Sequence, residues 1–257
     1  MTTFKKARAF SIIFIYLIIG LALHIITFAA KRSFRLKLIS RWTRLTCIFL
    51  RKALNVRLNI IGSIPRSKGL FIVSNHLTYL DGVILGSLFP AVFVSKLQVK
   101  SWPIFGWMAR LGGTVFVDRK RKLKSVDSLR EIAELLKNDI NILLFPEGTS
   151  TNGSQILPFQ SIFFQAPLIC SAPVLPVTIE YTGIESADLN SSNRDRVFWY
   201  GQVNFQKHVS GLLKLKNIEA KVTIHSKIDT SSPGLDPRKN LSESARQAIL
   251  KDFSPIK

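Results

Sequence analysis

The chain has 257 residues, 47% of them apolar, and its 36 Lys and Arg against 16 Asp and Glu give a formal charge of +20. That apolar share, with 18 Phe, is enough to bury a core and excludes intrinsic disorder. A mean hydropathy of +0.21 disfavours a purely soluble nucleic-acid binder, and the two separated cysteines, Cys47 and Cys170, exclude a disulfide scaffold and a cysteine-based zinc cluster and fit a reducing compartment.

The charge is unevenly placed. Residues 1–80 contain 14 Lys or Arg and no Asp or Glu, and Asp81 is the first acid. The rest carries 22 basic and 16 acidic residues, a net of +6. The excess is therefore an N-terminal surface aimed at something negative, an anionic lipid or a nucleic acid.

Phe10 to Ala30 is an almost unbroken apolar run, flanked by Lys5, Lys6 and Arg8 before it and by Lys31 and Arg32 after it. As a helix it spans roughly 31 Å, about the hydrocarbon thickness of a bilayer. It is longer than a signal-peptide core, and its second basic flank is wrong for export. The expectation is a membrane anchor, spanning or re-entrant, with the body on the cytoplasmic side where the heavier positive charge lies. Ser33 to Leu54 reads as a second helix. Lys37, Arg41, Arg44 and Arg51 form a basic stripe, and Phe34, Leu38, Trp42, Leu45 and Phe49 form an apolar one. That pattern suits the lipid interface, with Trp42 at headgroup level.

From Asn55 onward short apolar runs alternate with helical stretches. The predicted strands are Val56–Ile61, Leu70–Val73, Ala91–Val94, Thr114–Val117, Asn141–Phe145, Val174–Ile179 and Lys221–His225. The predicted helices are Tyr79–Leu88, Pro103–Arg110, Ser125–Lys137 and Ser242–Lys251, with Val126, Leu129, Ala133 and Leu136 as the apolar face of the third. Gly183–Arg196 reads as a surface loop. The fold class is α/β, a mostly parallel sheet flanked by helices and preceded by an N-terminal membrane-associated helical segment. The expected division is an anchor with its amphipathic helix over residues 1–54 and an α/β domain over residues 55–257.

Active sites of open α/β sheets gather at the carboxyl ends of strands. Three segments have that form. In the first, a buried strand runs through Asn75 and His76 into a helix beginning near Thr78, with Asp81 in its first turn. His76 there is a general base oriented by Asp81, or else Asp81 completes a capping box with Thr78 and His76 is a turn residue. The second, Phe145-Pro-Glu-Gly-Thr-Ser150, offers Glu147, the permissive backbone of Gly148, and Thr149 to a polar substrate, or is an ordinary turn. The third pairs Lys96 with Arg119 at two strand ends. A guanidinium there suits a phosphate, while Lys120, Arg121, Lys122 and Lys124 read as a solvated or lipid-facing patch.

Together these segments resemble the membrane-bound glycerolipid acyltransferases, the lysophosphatidic acid acyltransferase group, over roughly residues 55–230. The likeness rests on Asn75-His76 with Asp81 (an H-x4-D motif), on Lys96 through Arg119, on Phe145-Pro-Glu-Gly-Thr149 and on Val174-Leu-Pro-Val177. It implies transfer of a fatty acyl group from an acyl thioester, acyl-CoA or acyl-carrier protein, to the free hydroxyl of a lysolipid in phospholipid biosynthesis, with no other cofactor and no metal. By the same resemblance His76 is the base and Asp81 its orienting partner. Asn75, Lys96, Arg119, Glu147, Gly148 and Thr149 serve substrate, and an apolar groove near the membrane holds the acyl chain. The first expected acceptor is 1-acyl-glycerol-3-phosphate. One departure matters: the family's third motif usually continues with Arg, and this chain has Ser150. Thr149-Ser150 before Asn152-Gly153 and Leu157-Pro-Phe159 resembles acyltransferases acting on lyso-ornithine lipid, which makes that lipid the alternative acceptor.

Other classes fit less well. A nucleic-acid binder needs no membrane-length apolar run, and a serine hydrolase needs a G-x-S-x-G elbow, for which Gly148 to Gly153 is too long. A basic lipid-binding protein without catalysis is the remote alternative.

Overall fold

The structure, a computed structural model, describes residues 2–118, 122–230 and 235–256. Two helices come first, α1 (Thr2–Ile26) and α2 (Arg32–Ala53). Next are β1 (Val56–Ile61), β2 (Phe71–Ser74), α3 (Leu80–Leu88), β3 (Ala91–Lys96), α4 (Phe105–Leu111), β4 (Val115–Val117), α5 (Lys122–Lys137) and β5 (Asn141–Leu144). The chain closes with α6 (Gln165–Cys170), β6 (Val174–Ile184), β7 (Ala187–Asp188), α7 (Phe205–Leu212), β8 (Ile218–Ile224) and α8 (Pro237–Lys251).

Among the described residues the strands form one eight-stranded sheet in the order β1-β8-β6-β2-β5-β3-β4, with β7 beside β6. Strands β2, β3, β4, β5 and β6 run parallel, so their carboxyl ends open on one edge. The antiparallel contacts are β6 with β8 and with β7. Alternation along β2 sends Phe71 and Val73 to one face and Ile72 to the other, and each face has its own core. The first lies under α5, α6 and α8 with Leu129, Ile132, Phe164 and Ile249; the second holds Leu80, Ile84, Leu85 and Phe198. Burial on both faces is why these strands are continuously apolar in sequence.

Helix α1 is long and apolar enough to cross a membrane, and it starts earlier than the apolar run because nothing in Thr2–Arg8 stops a helix. It is tied to the body along its length. Lys5 Nζ donates to the Leu215 carbonyl at 2.6 Å, Tyr16 Oη to the Met108 carbonyl at 3.1 Å, and His24 Nε2 lies 3.1 Å from the Leu111 carbonyl. The inward stripe is Ala9, Tyr16, Gly20 and Thr27, while Phe10, Phe14, Ile18, Leu21 and Ile25 face outward.

Helix α2 packs on the body through a face that neither sequence stripe named. Of the basic stripe, Lys37 pairs with Asp139 at 3.6 Å, while Arg44 and Arg51 donate to the carbonyls of Leu88 and Val56. Trp42 stacks on Tyr16 and donates its Nε1–H to the Tyr16 carbonyl, so it joins α2 to α1. The face buried against the body is Leu36, Ile39, Cys47, Leu50 and Ala53, and Phe34, Leu45 and Phe49 of the expected apolar stripe are exposed. A second face of small and aliphatic residues packs closely on α3, and the bulkier stripe is left outside. Helix α2 ends where Asn55 takes a left-handed conformation at φ 56°.

Elsewhere the expected elements are present with shifted ends. Helix α3 starts at Leu80, after Tyr79, and Thr78 gives no side-chain cap. Val126 is exposed, and Ile132 replaces it on the buried face of α5. Strand β6 runs to Ile184 and turns back through Glu185 and Ser186, both at positive φ, into β7, so the start of the expected loop is a hairpin. Helices α6 and α7 have no counterpart in the sequence expectations, because short helices carry too few turns for a periodic signal.

Candidate active site

The site begins where β2 ends. Asn75 is buried, and its amide spans the neighbouring strand: Nδ2 donates to the Ile179 carbonyl and Oδ1 accepts the Ile179 N–H, both at 2.9 Å. Both polar atoms are thus used in fixing β2 against β6. His76 follows. Its N–H donates to Glu147 Oε1 at 2.7 Å and its carbonyl accepts from Thr151 N at 2.9 Å. Its ring stacks on Phe145 with centroids 4.2 Å apart.

His76 Nδ1 lies 2.9 Å from Asp81 Oδ2. Asp81 is fully buried at the start of α3, where the helix N-terminus favours a carboxylate. Oδ2 also accepts the N–H groups of Leu77 and Thr78 at 2.7 and 2.9 Å, and Oδ1 accepts Tyr181 Oη–H at 2.7 Å. The contact to Thr78 is one half of a capping box; the other half is missing, because Thr78 Oγ1 is buried without a partner among the described residues. Both roles weighed for Asp81 are therefore present in geometry: it braces the turn and it holds the imidazole.

Glu147 is buried at the end of β5. Its Oε1 takes the His76 N–H and its Oε2 the Leu157 N–H, each at 2.7 Å. Burial pushes its carboxyl up to about 7; those two hydrogen bonds and the Arg246 charge pull the other way. Arg246 itself donates to the carbonyls of Ile156 and Leu157. Gly148 turns the chain at φ 76°, a conformation that strains any side chain. Thr149 is exposed, and Ser150 Oγ donates to the Trp199 carbonyl.

These segments line a cavity of about 580 Å³ whose wall includes His76, Lys96, Gly148, Thr149, Ser150 and Trp199. Asn75, Asp81 and Glu147 are buried behind that wall. Asn75 and Glu147, expected at substrate, have their polar atoms bonded to the main chain of Ile179, His76 and Leu157. Arg119 lies outside the described residues, as do Lys120 and Arg121.

A second, mostly apolar cavity of about 1060 Å³ runs beside the first, between α1, α4 and α7, and is lined by Phe10, Ile13, Val83, Met108 and Val209 among others. Trp102 lines both. It packs edge-on against Trp199, with Phe205 against each of them, and Tyr79 closes the cluster while holding His208 Nδ1 at 3.0 Å. Sequence reasoning missed Trp199, Tyr79 and Tyr181. Trp199-Tyr200-Gly201 was a visible signal, an aromatic pair beside a turn glycine in a polar stretch. Among the described residues no three His, Cys, Asp or Glu side chains gather into a metal-binding group.

Comparison with known proteins gives the family and the fold. Residues 55–180 match the family model described as Acyltransferase. The lyso-ornithine lipid O-acyltransferase of Rhizobium meliloti (strain 1021) is 31% identical over 220 residues, covering 83% of this chain and 73% of that protein. The protein of the same name from Pseudomonas aeruginosa is 32% identical over 209 residues, covering 81% and 77%. The 1-acyl-sn-glycerol-3-phosphate acyltransferase of Neisseria gonorrhoeae is 32% identical over 130 residues, about half of each chain (50% and 51%). The crystal structure of the 1-acyl-sn-glycerophosphate acyltransferase of Thermotoga maritima superposes with a TM-score of 0.56 over 96% of this chain and 97% of that one; at 20% identity the likeness is one of fold.

Proposed function

The chain belongs to the acyltransferase family, and from that premise we propose that it moves a fatty acyl group from an acyl thioester to the free hydroxyl of a lysolipid, with His76 as general base. The observation that carries the reading is the 2.9 Å contact between buried Asp81 and the Nδ1 of His76, which lines a cavity of mixed polarity that adjoins an apolar one. Asp81 keeps the ring proton on Nδ1, which leaves Nε2 to take the proton of the acceptor hydroxyl. The oxygen attacks the thioester carbonyl, the C–S bond breaks, and the proton on Nε2 passes to the departing thiolate. An ester and a free thiol result, and His76 returns to its starting state. Acyl-CoA and acyl-carrier protein are equivalent donors for this chemistry. The apolar cavity suits the acyl chain. Lys96, Gly148 and Thr149 line the smaller cavity and suit the acceptor headgroup, and Arg119, which the resemblance assigns the same task, lies outside the described residues.

Of the two acceptors weighed from sequence, the phosphate-free lyso-ornithine lipid is the better supported. Ser150 stands where the resembling motif has Arg, and its hydroxyl is taken up by the Trp199 carbonyl. The relatives whose length this chain largely spans carry that lipid's name. The phosphate acceptor remains the second reading, favoured by Lys96 on the cavity wall. Because α1 is bound to the body from Lys5 to His24, we read it as embedded in one leaflet beside the body, on the cytoplasmic side that its basic flanks favour.

The test is a panel of lysolipid acceptors with acyl-CoA and acyl-carrier protein donors, read by mass spectrometry. The expected result is the highest kcat/KM with lyso-ornithine lipid. Preference for lysophosphatidate would move the assignment to the phosphate acceptor, and no transfer to any lysolipid would overturn it.

A further inference from the structure

Asp81 has two oxygens in unequal surroundings. Oδ2 accepts from His76 Nδ1 and from the amides of Leu77 and Thr78, whereas Oδ1 has one donor among the described residues, the Tyr181 hydroxyl on β6 at 2.7 Å. Both partners are buried, at 0% and 4% exposure. Tyr181 continues the face of β6 that carries Leu175, Val177 and Ile179, all aliphatic and all in the same core. Its ring packs edge-on against Phe198 with centroids 5.6 Å apart. A phenylalanine would fill the same space, so packing alone does not call for the hydroxyl. The placement is also tied to the site. The Asn75 amide that fixes β2 on β6 grips the main chain of Ile179, two residues before Tyr181. One register therefore sets His76 on one strand and the Tyr181 hydroxyl on the next.

We propose that Tyr181 is a positioning residue for acyl transfer: its hydroxyl pins the free oxygen of Asp81, so that the other oxygen stays on His76 Nδ1. The proposal rests on the reading of His76 as general base. A carboxylate held through Oδ2 alone keeps some freedom to turn about its Cβ–Cγ bond and shift against the ring; a donor on Oδ1 as well fixes its plane. The hydroxyl also draws negative charge toward Oδ1 and so limits how strongly Asp81 stabilises a charged imidazole. Burial beside Asp81 raises the Tyr181 phenol well above its usual range, so it remains a donor at every working pH. Among the described residues, the other charged or titratable groups around His76 are Glu147, bonded to its N–H, and Lys96 and Tyr200 on the wall of the same cavity.

The test compares the full-length protein with Tyr181→Phe, with 3-fluorotyrosine incorporated at position 181, and with His76→Ala, each checked for folding by thermal melting. Tyr181→Phe is expected to lower kcat roughly ten-fold, the scale of a small misplacement of a catalytic group, with KM for both substrates within about two-fold. The acid limb of its kcat profile is expected to move to higher pH, because an Asp81 relieved of the donor on Oδ1 holds the imidazolium more tightly. Fluorotyrosine, a stronger donor, is expected to restore kcat and return the limb to the wild-type position or below it. A Tyr181→Phe profile that superimposes on wild type, a loss confined to KM, or a loss that fluorotyrosine fails to restore overturns the proposal. If His76→Ala keeps its activity, the general-base reading fails and takes this proposal with it. An inert His76→Ala beside a wild-type-like Tyr181→Phe overturns the role of Tyr181 alone.

Discussion

Glu147 holds the backbone of His76: its Oε1 accepts the His76 N–H at 2.7 Å while Oε2 accepts the Leu157 N–H at the same distance. One buried carboxylate thus joins the loop after β2, the turn after β5 and the segment leading to α6. The acid of the Pro-Glu-Gly-Thr turn is a joint that sets where the histidine stands, and the cavity wall is left to the residues after it.

This arrangement has a pH signature. Burial raises the Glu147 carboxyl from 4.5 to about 7. A carboxyl raised on folding takes up its proton more readily in the folded state. Its stabilising effect is therefore full below about pH 4.5 and is lost as pH rises toward 7, by roughly 3 kcal/mol at most. The melting temperature of wild type minus that of Glu147→Gln, which cannot titrate, is expected to be more favourable to wild type at pH 5 than at pH 7.5. A difference that stays flat or grows with pH would contradict it.

Asn75→Ala is expected to damage the fold. It leaves the Ile179 N–H and carbonyl without their partners in a buried site, at about 1–3 kcal/mol each. A fall in melting temperature of roughly 5–10 °C is expected, with activity reduced in step. A variant as stable as wild type but weak in acceptor binding would return Asn75 to the substrate-contact role expected from sequence.

Much of this was legible in the sequence, and the exceptions have physical causes. Strand β1 alternates apolar and polar residues and is found where it was expected, while the cores of β3 and β5 are short apolar runs. The strand–turn–helix form allowed His76 and Asp81 to meet but left their roles open, and the assignment of His76 as base came from the family resemblance. Tyr181 was not, since it lies 100 positions from Asp81 and reads as one more apolar residue in a buried strand. The inward face of α2 was also hidden. Leu36, Ile39, Cys47 and Leu50 belong to neither the apolar nor the basic stripe read from the sequence, and only packing against α3 brings them inside.

The outward stripe of α2 gives a membrane prediction. Phe34, Leu45 and Phe49 are 59%, 43% and 50% exposed on one side of the helix, an amphipathic face fit for the acyl boundary of a bilayer. Replacing all three by serine is expected to lower flotation with anionic vesicles while sparing turnover of detergent-dispersed substrate. Unchanged flotation would assign membrane binding to α1 alone.

Ser150→Arg is expected to shift the acceptor preference. A guanidinium on the cavity wall adds a hydrogen bond to a charged group, about 1.5–3 kcal/mol, if the acceptor carries a phosphate. In competition assays the ratio of kcat/KM for lysophosphatidate over lyso-ornithine lipid is expected to rise about ten-fold or more. A ratio that does not move would mean that headgroup choice is made elsewhere.

The most direct measurement is single-turnover acyl transfer by purified His76→Ala, with donor and lysolipid saturating and folding checked by its melting temperature. A general base contributes on the order of 10²–10⁴ in rate, so the transfer step is expected to slow by at least two orders of magnitude while both substrates still bind. A folded His76→Ala protein that transfers the acyl group at close to the wild-type rate would contradict the assignment of His76 as the base.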